Sequence, residues 1–221
     1  MIKPGGMARA VRAALESLTG SPGGALGVRF HAPLLTALVV DAADQDELVP
    51  AVAEVSGALE RVGLPRGRQF ALLGREAANV VIETGELVRR LRRDLGLAAF
   101  VHEPDGAAFK VGVAADGTAI ELDDELREAE AVICVGRGFA ADGRVHGGPY
   151  LLVPGVASER TRRALAAART GGGERAALAW ALAAEAVAPV DLAVCWDESG
   201  RVTAARGSER FAALAREAGF S

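Results

Sequence analysis

Cysteine is scarce in this chain of 221 residues, which carries only Cys134 and Cys195. Both lie in apolar runs, VICVG and LAVCW, and neither has CxxC spacing or a histidine nearby. We therefore expect two buried thiols that pack as small hydrophobic side chains, and neither a metal site nor a disulfide.

Long apolar runs and basic tracts are also missing. The sequence has no run of about 18 apolar residues, and its first residues, MIKPGGMARAVRAALESL, have no signal-peptide pattern, so we expect a cytoplasmic protein without a transmembrane helix. The 25 Lys and Arg residues are interspersed with 29 Asp and Glu residues. Neither nucleic acid nor a membrane is therefore an expected partner.

Apolar, strand-like runs alternate with helical patterns along the chain. Buried strands are predicted at 34–40, 69–73, 98–102, 131–135 and 190–196, and helices at 8–18, 47–62, 76 or 79 to 95, 158–168, 174–187 and 209–218. This alternation predicts an α/β fold with a central, mostly parallel sheet and helices on both faces. We expect one domain over residues 1–221, in which 1–33 form an N-terminal helix and loop and 34–221 form the α/β core.

Shorter elements are predicted between these. Residues 109–113 and 118–122, separated by Ala-Ala-Asp-Gly, are typical of a hairpin or of paired edge strands. A turn at 197–200 joins strand 190–196 to a partner at 201–205, and the glycines at 171–173 predict a flexible link.

The carboxyl ends of the predicted parallel strands carry Asp41, Gly74, His102 and Gly136. Ligands of α/β sheets gather at this edge. The segment 136–155 that follows the strand is rich in glycine, which allows backbone N–H groups to approach an anionic ligand. The same composition is typical of a long connection with tight turns. Neither GxGxxG at a strand-to-helix turn nor GxxxxGK[ST] is present, so nucleotide-binding motifs are not matched.

Each polar residue near this edge has a functional and a structural interpretation. Asp41, Asp44 and Glu76, with Arg75 and His146, would form a polar pocket for a divalent cation or a cationic ligand. Asp44 with Glu47 also fits a helix-capping box.

For several other residues the structural interpretation is the favoured one. His102 is interpreted as a hydrogen-bonded structural histidine, Tyr150 as packing beneath the loop, and Trp180 and Trp196 as core residues. The arginines that flank the glycines, Arg137 and Arg144, would attract phosphate or carboxylate, or would simply be solvated.

The chain resembles the N-terminal domain of the nickel-dependent lactate racemases. The resemblance is carried by the order of strand ends at Asp41, Gly74 and His102 and by the phrases VGVAADGTAIELDDELREAEAVICVGRG, HGGPYLLVPGVAS and VDLAVCWDESGRVTAARGSERFAALAREAG. Family members have GFSGG-x-K-x-x-x-PG in the place of the second phrase. The resemblance covers residues 34–219 and implies a 2-hydroxyacid racemase or epimerase, whose nickel-pincer nucleotide is tethered to a lysine and flanked by histidines. The family's second domain, which closes over the cofactor, has no counterpart in these 221 residues.

Most of the family's cofactor-binding and catalytic residues are replaced in this sequence. The tethering lysine falls on Tyr150, whose phenol cannot form the same covalent link. The family's histidine before the double glycine falls on Ala140 or Ala141. The family's Gly-x-His-Arg reads Gly74-Arg75-Glu76-Ala77 here, and its Asp-x-x-Arg reads Asp41-Ala-Ala-Asp44. We therefore expect no nickel-pincer cofactor and no resident metal.

Two functions remain open. In the first, the chain is a pseudoenzyme that binds a small anionic or hydroxyacid ligand, or a partner such as a second-lobe subunit or a second copy. Its ligand-binding residues would be Asp41, Arg75, Gly136, Arg144, His146, Gly147, Gly148 and Tyr150. In the second, the chain is a lactate racemase-related 2-hydroxyacid isomerase with altered chemistry in the same cleft. Its catalytic candidates are Asp41, Glu76 and His146.

Overall fold

A computed structural model describes the backbone of residues 4–19, 34–41, 45–74, 84–114, 116–138, 147–172, 190–197 and 199–205. The helices are α1 Pro4–Thr19, α2 Gln45–Arg61, α3 Thr84–Leu95 and α4 Glu159–Gly172. The strands are β1 Thr36–Asp41, β2 Gln69–Gly74, β3 Ala98–Val101, β4 Ala108–Val113, β5 Ala119–Asp123, β6 Ala131–Arg137, β7 Val190–Trp196 and β8 Val202–Ala205. The predicted helices at 174–187 and 209–218 lie outside the described residues.

The main sheet has six strands in the order β3-β2-β1-β6-β7-β8. All neighbours are parallel except β7 and β8, which form an antiparallel hairpin. The predicted α/β fold with a mostly parallel sheet is confirmed. From β1 the chain builds outward to β2 and β3 on one side, and from β6 it builds to β7 and β8 on the other. The strand order therefore reverses between β1 and β6, which is the topological switch point of the sheet.

Three helices cover one face of the sheet. Apolar side chains recur at intervals of three or four residues on each helix, so a continuous stripe faces the strands. Those stripes are Met7, Val11 and Leu15 of α1, Leu48, Val52, Val55 and Leu59 of α2, and Leu87, Leu91 and Leu95 of α3. They pack on Leu38, Val40, Leu73, Ile133, Val135 and Val194 of the strands.

The opposite face is covered by mixed elements. The hairpin β4–β5 forms its own two-stranded sheet, as predicted, and buries Val111, Ile120 and Leu122 against the strands. The buried segment 150–157 and Leu165 of α4 complete this layer. Because both faces are covered, all six residues of β1 and all six of β2 are buried, which explains their continuous apolar sequences.

Local residues set the helix ends. Gly63 and Gly96, which directly follow the helix ends predicted at 62 and 95, have φ of 97° and 66°, so each takes the left-handed conformation that ends a helix. Ser158 caps α4, since its Oγ accepts the Thr161 N–H at 3.2 Å. The link predicted at 171–173 is wrong in its first two residues, because α4 continues to Gly172. Two glycines weaken a helix but do not forbid it.

No helix in the described part of the chain combines the length and the apolar character needed to cross a membrane.

Candidate functional site

The carboxyl ends of the central strands meet at one edge of the sheet, as the sequence predicts. Asp41 at the end of β1 pairs in register with Gly74 at the end of β2, and Val40 pairs with Val135, the residue before Gly136. Residues 42–44 after β1, 75–83 after β2 and 139–146 after Gly138 lie outside the described ranges. Those residues include the predicted site residues Asp44, Arg75, Glu76, Arg144 and His146.

Asp41 lies at the switch point and is only 8% exposed. Its neighbour Val40 packs with the helices, so alternation along β1 directs Asp41 to the opposite face. Gly136 of β6 approaches it closely, because a Cβ on Gly136 would lie 2.6 Å from the Asp41 Cβ. Glycine at position 136 therefore makes room for the Asp41 side chain.

The described part of the glycine-rich segment, 147–155, lies directly on this edge. A Cβ on Gly147 would lie 2.7 Å from the Arg137 carbonyl oxygen, the Cys195 Sγ and the Gly138 Cα. A Cβ on Gly155 would overlap the Leu151 carbonyl, and one on Gly74 would lie 3.3 Å from the Gly155 carbonyl oxygen. These glycines are needed for the segment to pack on the strand ends. Gly148, with φ of 60°, is needed for a turn.

Tyr150 has the structural role that its first interpretation predicts. It is 8% exposed and packs in one apolar cluster with Leu151, Leu152 and Val153. Tyr150 therefore belongs to the core.

Cys134 and Cys195 are both buried and unbridged, as predicted. Burial raises the pKa of Cys195 to about 12; the Asp41 carboxylate also raises it, while a hydrogen bond from the Gly148 backbone lowers it. Cys195 is thus a neutral thiol on β7, beside Gly136 of the switch point, and a neutral thiol is a poor nucleophile.

A second polar cluster, on the helical face of the same edge, was missed from the sequence. Glu47 of α2 is 7% exposed, and its Oε2 accepts a hydrogen bond from Trp196 Nε1 at 2.9 Å. Arg137 Nη2 lies 3.7 Å from the same oxygen. Arg137 was interpreted as solvated or anion-binding, and here it forms an ion pair. Trp196 is the residue that could have indicated this cluster from the sequence, because a buried indole N–H requires an acceptor.

His102 is a buried structural histidine, as predicted. Its Nδ1 lies 2.6 Å from Asp123 Oδ2 and its Nε2 lies 2.9 Å from the Ala157 carbonyl oxygen. The carbonyl can only accept, so Nε2 donates to it, and Nδ1 faces the Asp123 carboxyl group. This contact connects the end of β3 with the end of β5 and with the segment 150–157, away from the switch point.

No group of three or more His, Cys, Asp or Glu side chains within the described ranges is arranged to hold a metal ion.

Comparison with solved structures shows a lactate racemase-like fold. The lactate racemase apoprotein from Thermoanaerobacterium thermosaccharolyticum aligns with a TM-score of 0.65 and 15% identity, over 97% of this chain and 55% of that one. A protein from Thermotoga maritima aligns with a TM-score of 0.60 and 16% identity, over 96% of this chain and 57% of that one. The chain thus spans somewhat more than half the length of these proteins. At such identities the likeness shows the fold alone.

No protein-family model matches the sequence, and no curated protein matches it.

Proposed function

We propose that this chain is a divergent lactate racemase-like N-terminal domain that acts as a binding module and does not perform nickel-pincer chemistry. The observation that carries the proposal is the burial of Tyr150. Its side chain stands where the family has its anchoring lysine, and it is 8% exposed within an apolar cluster. A phenol in the core supplies neither the amine for a covalent tether nor access to a cofactor.

The glycine-rich segment supports the same proposal. In the described part of this segment, the spaces beside Gly147 and Gly155 are filled by the protein's own backbone and by Cys195. An anion-binding cradle requires those spaces to be open. The nickel-pincer nucleotide therefore does not fit the residues present.

We place the binding site at the switch point, with a small hydroxyacid as the ligand. Asp41 is a carboxylate at the carboxyl edge of a parallel sheet, where ligands of this fold class bind. A carboxylate can accept a hydrogen bond from the hydroxyl group of a 2-hydroxyacid. Arg75 and Arg144 follow β2 and β6 in the sequence, and their guanidinium groups would bind the carboxylate of the ligand.

The first test measures the mass of the intact protein and its nickel content after purification from cells that can synthesise the cofactor. The expected mass is that of the 221-residue chain alone. An adduct of nucleotide size, or stoichiometric nickel, would contradict the proposal.

The second test measures the melting temperature with lactate, longer 2-hydroxyacids and, as a matched ligand without the hydroxyl group, propionate. We expect stabilisation by a hydroxyacid and not by propionate, and its loss in Asp41→Asn. Asp46→Asn is the control, since Asp46 is an exposed carboxylate paired with Arg90. No shift with any hydroxyacid, or an equal shift in Asp41→Asn, would contradict the assignment.

A further inference from the structure

A groove with a volume of about 740 Å³ runs along the edge strand β3, apart from the switch point. All four residues of β3 line it, as do Gly106 and Ala107 of the turn before β4 and Asp124 and Glu125 of the turn after β5. Four residues of strand extend over roughly 13 Å. The groove is therefore long enough for a short extended peptide.

The floor of the groove is aromatic. Phe100 of β3 is 36% exposed, and its ring packs edge-on against Phe70 of β2 with 6.0 Å between ring centroids. Among the described residues, Phe100 and Val113 are the large hydrophobic side chains that remain exposed. An exposed aromatic ring in a groove is a surface on which apolar groups and cations pack favourably.

The rim of the groove is acidic. Asp123 and Asp124 are engaged, by His102 and by Arg127. Three further carboxylates line the groove and have no ion-pair partner in the described part of the chain; they are Glu103, Glu125 and Glu128.

The basic side chain that lines the groove is already hydrogen-bonded to the protein itself. Among the described residues that line the groove, Arg92 is the single basic one, and its Nη2 donates to the Ala99 carbonyl of β3 at 2.6 Å. Gln69 also lines the groove; it is 2% exposed, and its Oε1 accepts no hydrogen bond within the described structure. Among the described residues, the unpartnered polar side chains of the groove are thus all acceptors, so a donor-rich cation is the complementary occupant.

We propose that this groove binds a basic, partly apolar peptide segment of a partner protein. An arginine or lysine of the segment lies over the Phe100 ring between the free carboxylates of the rim, and apolar neighbours of that residue cover the floor. The site shares no residue with the hydroxyacid site at Asp41, so either proposal can fail without the other.

The test uses a fluorescein-labelled peptide of alternating arginine and valine, with a glutamate-valine peptide as the matched probe, and measures anisotropy at low salt and at 0.5 M salt. The arginine peptide is expected to bind, and its affinity is expected to fall at 0.5 M salt, because exposed charges are screened. The glutamate peptide is expected not to bind.

Two variants remove the proposed contacts. Binding is expected to weaken about tenfold or more in Glu103→Gln/Glu125→Gln/Glu128→Gln, since each exposed ion pair contributes modestly. Phe100→Ala is expected to weaken it about fivefold. If Phe100→Ala melts below the assay temperature, Phe100→Leu keeps the apolar contact with Phe70 and removes the aromatic ring face.

The control is Glu16→Gln/Glu86→Gln/Glu159→Gln, which removes the same charge from residues outside the groove. It is expected to bind within twofold of the unmodified protein. Equal losses in both triple variants would overturn the proposal, because binding would then follow net charge alone. Absence of peptide binding would overturn it as well.

Two further results would identify a different occupant. Arginine amide binding as tightly as the peptide would identify a small-cation site instead. Sedimentation showing a dimer that is lost in Phe100→Ala would identify a second copy as the occupant.

Discussion

Gly136 shows how closely the two strands of the switch point approach each other. Its hypothetical Cβ would lie 2.6 Å from the Asp41 Cβ and 3.4 Å from Leu151 Cδ1. Neither neighbour can move easily, since Asp41 ends a central strand and Leu151 is in the core. The glycine is thus a packing requirement at the proposed ligand site.

We therefore expect Gly136→Ala to lower the free energy of unfolding by about 1–3 kcal/mol, because overpacking forces strands or the segment 147–155 apart. Urea denaturation measures the change. Gly85→Ala is the control, since nothing lies within 4 Å of its Cβ position in α3, and it is expected to be neutral or stabilising. Equal stability of Gly136→Ala and the unmodified protein would refute the packing role.

Cys195 gives a second prediction at the residue scale. Its pKa of about 12 leaves it protonated at neutral pH, and it is buried with Cys134. We expect both thiols to resist a thiol reagent at pH 8 in the native protein and to react fully in denaturant. Rapid labelling of the native protein, located by mass spectrometry to Cys195, would contradict this.

At the scale of elements, the contact of His102 with Asp123 and Ala157 fixes three pieces of the chain together. Its ring connects β3, which belongs to the main sheet, to the separate hairpin and to the segment 150–157. The other Asp123 oxygen accepts the Glu125 backbone N–H at 3.0 Å and so shapes the turn after β5. Loss of the ring leaves a buried carboxyl group with one partner fewer.

His102→Ala is expected to lower the free energy of unfolding by about 2–4 kcal/mol, because it leaves a cavity and an uncompensated carboxyl group. Arg127→Ala, which breaks an exposed pair with Asp124, is the control and is expected to cost less than about 1 kcal/mol. A double-mutant cycle with Asp123→Asn measures the coupling between ring and carboxyl group. A coupling near zero would mean that the two side chains do not act together.

The regular elements were predictable from the sequence because they follow local rules. The apolar runs of β1, β6 and β7 are long enough to identify buried strands, and Gly63 and Gly96 identify helix ends. The contacts between distant residues were not predictable. Trp196 and Glu47 are 149 positions apart, and nothing in either local pattern identifies the other. The same holds for Asp123, which became the partner of His102 only through the position of the hairpin.

The arrangement of the strand ends at the candidate site was predictable, and the contacts around them were not. Alternating strands and helices placed Asp41, Gly74 and Gly136 at one edge, which the register confirms for β1, β2 and β6. The glycines permitted two interpretations, ligand cradle and tight packing, because positive φ and close approach serve both. Only the positions of Leu151, Gly138 and Cys195 distinguish them.

For the whole molecule, the buried Cys195 thiol makes the free energy of unfolding depend on pH in the alkaline range. The unfolded thiol ionises near pH 9.0 and the folded one near 12, so between these values the unfolded state binds fewer protons and stability falls as pH rises. Three pH units correspond to about 4 kcal/mol at most. We expect Cys195→Ala to show a smaller loss of unfolding free energy between pH 9 and 11 than the unmodified protein. Identical losses in urea titrations would contradict the coupling.

The close packing of 147–155 on the strand ends also affects how variation at this edge should be interpreted. Gly136, Gly147 and Gly155 occupy positions where any side chain meets backbone or core atoms. In a saturation mutagenesis screen selected only for soluble expression, these positions should tolerate as little change as Leu38 or Ile133 of the buried strands. Invariance of these glycines among related sequences would therefore report on folding, and a search for ligand specificity should compare residues whose side chains are free to vary.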